Sequence, residues 1–350
     1  MKKIFLLLVA ALMLNSCDDL FEPAIENFRE IEQMHTDPQY ALGILANAYL
    51  NIPGYYDNSE YATDDAVVNQ KNNAFLTMAT GGWTSRLWTS INQWTNSFSA
   101  LQYINLYLEN VDQVTWGTDD EKSQLFYRRT KGEAHGLRGI FLYYLLRAHA
   151  GYDESGKLLG VPKLLEYIDI NSDLNLTRAT FDDCIQQIYR DFEIAEELLP
   201  WEYSDVEQVP AESQSITQSK GTYNTVLGNK SRQLLNGLIV RSYRTRTALL
   251  AASPAFQDAT NPATWADAAN AAAQIITYNG GVNGLASNGV EYYTKDVVDP
   301  LEAGIKPKEI IWRKNVSSSE WSNEQEKNNV PPSLNGGGNM NPSQNLVDAF

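Results

Sequence analysis

Cysteine is almost absent from this 350-residue sequence, with Cys17 and Cys184 the only two. If Cys17 is consumed in N-terminal processing, no internal disulfide remains possible, and Cys184 is expected as a small core residue. Histidine is as scarce: His35, His135 and His149 complete the set. The last two lie two heptads apart on one predicted helix, about 21 Å at 1.5 Å per residue, so they cannot share a metal. The sequence has no G-x-S-x-G, no H-E-x-x-H, no C-x-x-C and no G-x-x-x-x-G-K-[ST]. Serine-hydrolase, zinc-protease, thiol-redox and phosphate-loop chemistry therefore find no support. Positive charge is short as well, with 27 Lys and Arg against 43 Asp and Glu and a net charge of −16. That balance disfavours nucleic acid and anionic polymers as partners and leaves neutral ligands unaffected. No stretch reaches the ~18 consecutive apolar residues of a membrane-spanning helix.

What the N-terminus does have is Lys2 and Lys3, an apolar run from Ile4 to Leu14, and Ser16 before Cys17. This is the layout of a secretory signal peptide, and residues 1–16 are set aside from the fold. Leu14-Asn15-Ser16-Cys17 resembles a bacterial lipobox, which implies cleavage before Cys17 and lipidation at that residue. Two or three acyl chains, at about 0.8 kcal/mol per buried CH₂, anchor a protein to a membrane without crossing it. Removal of Lys2 and Lys3 takes the net charge from −16 to −18.

Helix follows helix through most of the remaining chain. Asp37 before Pro38 predicts a capped start, with Ala41, Leu42, Leu45, Ala48 and Tyr49 on one face. Leu87, Ile91, Trp94, Phe98, Leu101 and Leu108 predict a long helix, and the next begins near Asp119 or Asp120. In the latter, Ala134, Leu137, Phe141, Leu145 and Ala148 form a buried stripe, and Gly132, Gly136 and Gly139 call for close approach of neighbouring helices. Thr180 and Asp183 cap a helix that runs through Ile188 and Phe192 until Pro200 stops it. Ser231–Ser253 and Thr264–Tyr278 supply two more. The fold class is mostly α, an array of helical hairpins of tetratricopeptide-like type with a few short strands. From Gly281 onward the chain turns irregular, rich in Gly, Asn, Ser and aromatic residues, and Glu309–Trp312 predicts a short strand.

Gly132-Glu133-Ala134, Leu137-Arg138-Gly139, the aromatic run Phe141–Leu146 and Gly160-Val161-Pro162 occur here in that order. Together with Thr177–Thr180, Ala195–Pro200, Ala248–Pro254, Trp265–Gly280, Glu309–Trp312 and Pro342–Phe350, they resemble the SusD/RagB family of nutrient-binding outer-membrane lipoproteins of Bacteroidetes. Gly139 stands where the family usually has Ala. The resemblance implies four helical hairpins with irregular loops on one side building the ligand site. It also places Asp18-Asp19 as a surface-export signal, and family members continue beyond the Pro342–Phe350 segment. The organisation expected is thus a signal peptide at 1–16, a helical scaffold at 17–280 and, at 281–350, the start of a loop-rich region, the sequence being a fragment.

Eight Trp and nineteen Tyr beside eleven Phe make an aromatic set rich in polar-tipped rings. Such rings suit surfaces that are apolar on the face and wet at the edge, as a sugar requires. The candidate ligand-binding residues are aromatics outside the helical stripes: Trp83, Tyr292, Tyr293 and Trp321, with Tyr55, Tyr56 and Tyr61 intermediate. Trp83 and Trp321 fall in the regions that build the glycan platform in the family the chain resembles. Trp94, Phe98, Trp265 and Phe141–Tyr144 fit core stripes. Glu133 and Arg138, five apart, do not face each other directly, and the resemblance makes them a structural pair or network. Asp169, Asn171 and Asp173 begin like a calcium loop, but Leu174 and Thr180 stand where Gly and Glu are needed. No metal and no cofactor is expected.

The resemblance implies a non-catalytic, cell-surface glycan-binding lipoprotein of the outer membrane, anchored at Cys17, that hands oligosaccharides to a TonB-dependent transporter. Two alternatives stand beside it. A lipid-anchored glycoside hydrolase needs two carboxylates roughly 5–9.5 Å apart across a sugar site. A helical-repeat adaptor for protein or peptide needs an exposed apolar groove.

Overall fold

A computed structural model describes residues 30–53, 59–82, 84, 91–169, 171–285, 296, 309–313 and 329–349. Asp37 opens the first helix, α1 (Pro38–Leu50), by accepting the backbone N–H groups of Gln39 and Tyr40 at 3.0 and 3.1 Å. A short α2 (Ala74–Ala79) and the longer α3 (Trp94–Asn110) follow. The 30-residue α4 (Asp120–His149) begins where Asp119 accepts the Lys122 N–H at 3.0 Å. Thr180 caps α5 (Phe181–Leu198) through the Asp183 N–H at 3.1 Å. Then come α6 (Lys220–Leu227), α7 (Gly237–Ala251), α8 (Trp265–Tyr278) and α9 (Gln344–Ala349). The helices pack as the hairpins α1/α3, α4/α5 and α7/α8, with α3 also against α4 and α5 against α7. Three hairpins thus lie among the described residues.

The array is built around α4, whose residues from Gly139 to Leu146 are buried without a break. Its glycines explain the closeness of α5. A Cβ on Gly132 would lie 2.8 Å from Leu199 Cγ, and one on Gly136 would press on Leu235 and come within 3.3 Å of Ala195 Cβ. At Gly139 the added carbon would meet the Phe192 ring at 2.5 Å, which accounts for glycine at this position. As the α4 numbers rise, those of the facing α5 residues fall, so the two helices are antiparallel. The cost of about 1 kcal/mol per glycine in a helix is offset by the packing this approach allows. Cys184 sits in the same core, with no exposed surface.

Several expectations are corrected. The helix through Trp94 starts at that residue, and Leu87 lies outside the described residues. The helix expected from Ser231 starts at Gly237, because Asn236 caps it through the Ile239 N–H at 3.0 Å. The preceding residues are held elsewhere: the Leu235 N–H donates to the Tyr49 hydroxyl at 3.0 Å and the Gly237 N–H to Pro200 O at 2.8 Å. Trp265 is 57% exposed and Trp94 39% exposed, so neither is a core residue. Trp265 falls in the first turn of α8, a helix that packs chiefly on α7 and has Ala268 as its one buried residue. Glu309–Trp312 is irregular instead of a strand. Its role is side-chain packing: Ile311 and Trp312 rest on the core, and the Trp312 indole N–H donates to Gln233 O at 3.0 Å.

Strand pairing occurs elsewhere. β2 (Gly151–Tyr152) and β3 (Leu158–Leu159) form a hairpin in the α4–α5 connection. β1 (Ala66–Val68) pairs antiparallel with β4 (Met340–Pro342), Ala66 opposite Pro342 and Val68 opposite Met340.

Candidate functional site

Cys17, Trp83, Tyr292, Tyr293 and Trp321 lie outside the described residues, as do Tyr55 and Tyr56. Among the described residues, the segment 61–69, before Trp83 in sequence, is fastened to the segment 329–343, after Trp321. Beyond the β1–β4 ladder, the Asn69 N–H donates to Asn339 O at 3.1 Å, and its side-chain amide to Gly338 O at 3.0 Å. The Ser343 N–H donates to Asp65 O at 2.8 Å, and its hydroxyl to Asp64 O. The buried Tyr61 reaches Asn329 Oδ1 with its hydroxyl at 3.3 Å. Asp64 and Asp65 therefore serve this junction through their backbone carbonyls.

Each end of the segment around Trp83 has a fixed neighbour. On the N-terminal side Asn73 caps α2, and the helix closes with Gly81 at φ 71° and the Gly82 N–H on Thr77 O at 2.8 Å. Glycine tolerates that left-handed conformation without the strain another residue would bear. On the C-terminal side the Gln93 N–H donates to His149 Nε2 at 3.4 Å, and Trp94 packs between Phe98 and the edge of His149. Burial and the charge of Arg178 lower the His149 pKa, which keeps its ring a neutral acceptor.

Glu133 and Arg138 belong to two separate networks and do not form a pair. Glu133 lies 3.1 Å from Arg129 Nε and accepts the Tyr49 hydroxyl at 2.7 Å. Burial pushes its carboxyl above the usual range against the opposing pull of Arg129 and Tyr49. Arg138 instead grips Asp191 of α5 with Nη2 to Oδ1 at 2.7 Å and Nε to Oδ2 at 3.0 Å. His135 Nδ1 at 2.9 Å and the Gln187 amide at 3.1 Å complete the ring of partners around that carboxylate. Burial alone would raise the Asp191 pKa, but the His135 hydrogen bond and the Arg138 charge outweigh it and hold it low. Both acids are enclosed between helices, where they order the scaffold. Asp169 turns its carboxylate onto the Asn171 N–H at 2.8 Å and the Ser172 hydroxyl at 2.9 Å, so it closes its own turn.

Sequence reasoning passed over one aromatic pair. Trp201 and Tyr278 stack with ring centroids 4.4 Å apart and planes 11° apart. The only signals were position: Trp201 follows the helix-stopping Pro200, and Tyr278 ends α8.

A family model described as "starch-binding associating with outer membrane", SusD-like, matches residues 38–219, more than half of the sequence. No curated protein matches the chain. Among solved structures, a SusD-like protein from Bacteroides fragilis superposes at a TM-score of 0.63 with 17% identity, over 94% of this chain and 55% of that one. A SusD superfamily protein from Bacteroides vulgatus gives 0.58 with 16% identity, over 92% of this chain and 63% of its own. A SusD-like carbohydrate binding protein from the same species gives 0.54 with 16% identity, over 81% and 52%. This chain therefore spans between half and two thirds of the length of these three proteins. The helical array and the family match over residues 38–219, more than half of the sequence, show that the chain belongs to the SusD-like family.

Proposed function

We propose that this protein is a non-catalytic, lipid-anchored glycan receptor of the cell surface. It captures an oligosaccharide by stacking and hydrogen bonding and passes it to a TonB-dependent outer-membrane transporter. The observation that supports the reading is the junction of residues 64–69 with 338–343, which joins a segment ending 14 residues before Trp83 to one beginning 17 residues after Trp321. Rings that are distant in sequence can build one platform only if their supporting segments are held together. Trp83, Tyr292, Tyr293 and Trp321 would supply the stacking faces, and Cys17 the anchor. Glu133 and Asp191 support the non-catalytic reading, since each is buried and committed to its own helix-to-helix partners.

The test is titration of the soluble protein lacking residues 1–17 with plant, microbial and host glycans, with Trp83→Ala and Trp321→Ala alongside and bond cleavage followed in the same samples. Saturable binding without products, weakened about tenfold or more by either substitution, is the expected outcome. Release of product would overturn the receptor reading. Binding unaffected by both substitutions would remove these two residues from the site.

A further inference from the structure

The stacked pair left out of that reading lines an open cleft of about 520 Å³ with Asn270, Ala273, Gln274 and Thr277 of α8. The pair is built as a rigid unit. Arg241 lies over Trp201 at 4.0 Å on its guanidinium carbon and is itself tethered to Gly237 O at 3.1 Å and Glu196 at 3.8 Å. The Tyr278 hydroxyl donates to Glu202 at 3.0 Å, fixing the ring, and burial with the Glu202 charge pushes its pKa up to about 12. The phenol therefore stays a donor at neutral pH, and 44% of the tyrosine remains exposed.

We propose that this cleft is a second saccharide-binding site, specific for an uncharged sugar ring. The inference rests on the glycan-receptor reading and extends it to a surface separate from Trp83 and Trp321. An exposed aromatic ring, already stacked and hydrogen-bonded, offers a flat face to sugar C–H groups at little ordering cost. Asn270 and Gln274 stand about one turn apart on α8, so they fall on one face of the helix, and both line the cleft with Thr277. Amides both donate and accept, which matches hydroxyl groups around a ring. The charge favours a neutral ligand: Glu202 beside the ring and the net charge of −16 work against an anionic sugar, and Arg241 is already paired with Glu196. Apart from the rings, Ala273 is the sole apolar lining residue, which offers little to the apolar side-chain anchor of a peptide.

The experiment is calorimetric titration of the chain without residues 1–17 against maltoheptaose, cellohexaose, xylohexaose and mannohexaose. The expected result is two sites for at least one of these probes. Tyr278→Ala and the double variant Asn270→Ala with Gln274→Ala should each weaken one site at least tenfold, while Tyr278→Phe, which keeps the ring, retains it. The double variant alters only exposed side chains, so an unchanged melting temperature separates lost binding from lost folding. Trp83→Ala and Trp321→Ala should act on the other site. A single site untouched by Tyr278→Ala and by the double variant overturns the second site and leaves the proposed function standing. No binding of any probe or of the wider glycan panel overturns both.

Discussion

Arg138 of α4 and Asp191 of α5 form a buried ion pair, Nη2 to Oδ1 at 2.7 Å, with no exposed surface on the carboxylate side chain. It ties together the two helices that make the most extensive contact in the array. Removing one partner of such a pair leaves the other charged and enclosed, which costs about 3–5 kcal/mol. Arg138→Ala and Asp191→Ala should each lower the unfolding free energy by about that amount, read from urea denaturation followed by circular dichroism. Glycan binding at temperatures where the variants remain folded should be unaffected.

The pH dependence of the same pair has a definite sign. The Asp191 pKa is lower in the folded state than in the unfolded chain, so its stabilisation is complete above the unfolded value of roughly 3.9. It is lost as pH falls through the folded value. Glu133 has the opposite sign, since its raised pKa makes folding take up a proton, and its contribution weakens as pH rises through the shifted range. The stability gap between wild type and Asp191→Asn should therefore be constant near neutrality and close in acid. A gap that widened on acidification would refute the assignment.

Two glycines in the helices should respond to alanine in opposite directions. Gly43 of α1 has nothing within 4 Å of an added Cβ, so Gly43→Ala should stabilise the protein by about 1 kcal/mol through helix propensity. Gly136→Ala meets Leu235, Val240 and Ala195, and overpacking of this kind costs about 1–3 kcal/mol. Thermal melts of the two variants should move to opposite sides of the wild-type midpoint.

The junction between the flanks of the proposed site can be opened by one substitution. Asn69→Pro removes both the backbone N–H that reaches Asn339 O and the amide that reaches Gly338 O. Hydrogen exchange should then speed up at Ser343, whose N–H is held by Asp65 O, while exchange in α4 and α5 stays unchanged. Glycan affinity should fall about tenfold, or about 1.4 kcal/mol.

Membrane attachment is checked at Cys17. Cys17→Ala should abolish incorporation of an alkyne-tagged fatty acid and move the protein from the membrane to the soluble fraction. Lipid incorporation that persists in this variant would place the anchor elsewhere.

The helical array was legible in the sequence because its signals are local. Asp37, Asp119 and Thr180 cap helices within three residues of themselves, and the stripe Ala134, Leu137, Phe141 and Leu145 lies on consecutive turns. The glycines of α4 predicted close packing and met Leu199, Leu235 and Phe192. What the sequence hid was non-local. Nothing around Val67 or Asn341 indicates that they pair, because two three-residue strands carry too little pattern to register. Trp265 has the spacing of a core residue, yet its exposure depends on which faces of α8 find a neighbour. Asp191 as the partner of Arg138 was hidden for the same reason, since the two are 53 residues apart.

The β1–β4 junction also sets an order of assembly. Asn69 and Gly338 are 269 residues apart, so this contact closes a far longer stretch of chain than any of the helical hairpins. The hairpins can therefore pack before the edge of residue 66–68 finds its partner, and the junction joins chain that the helical array leaves apart. A premature stop or a proteolytic cut before Asn339 would leave an intact helical array with an unpaired strand at Val67, folded by circular dichroism and prone to pairing with a second chain.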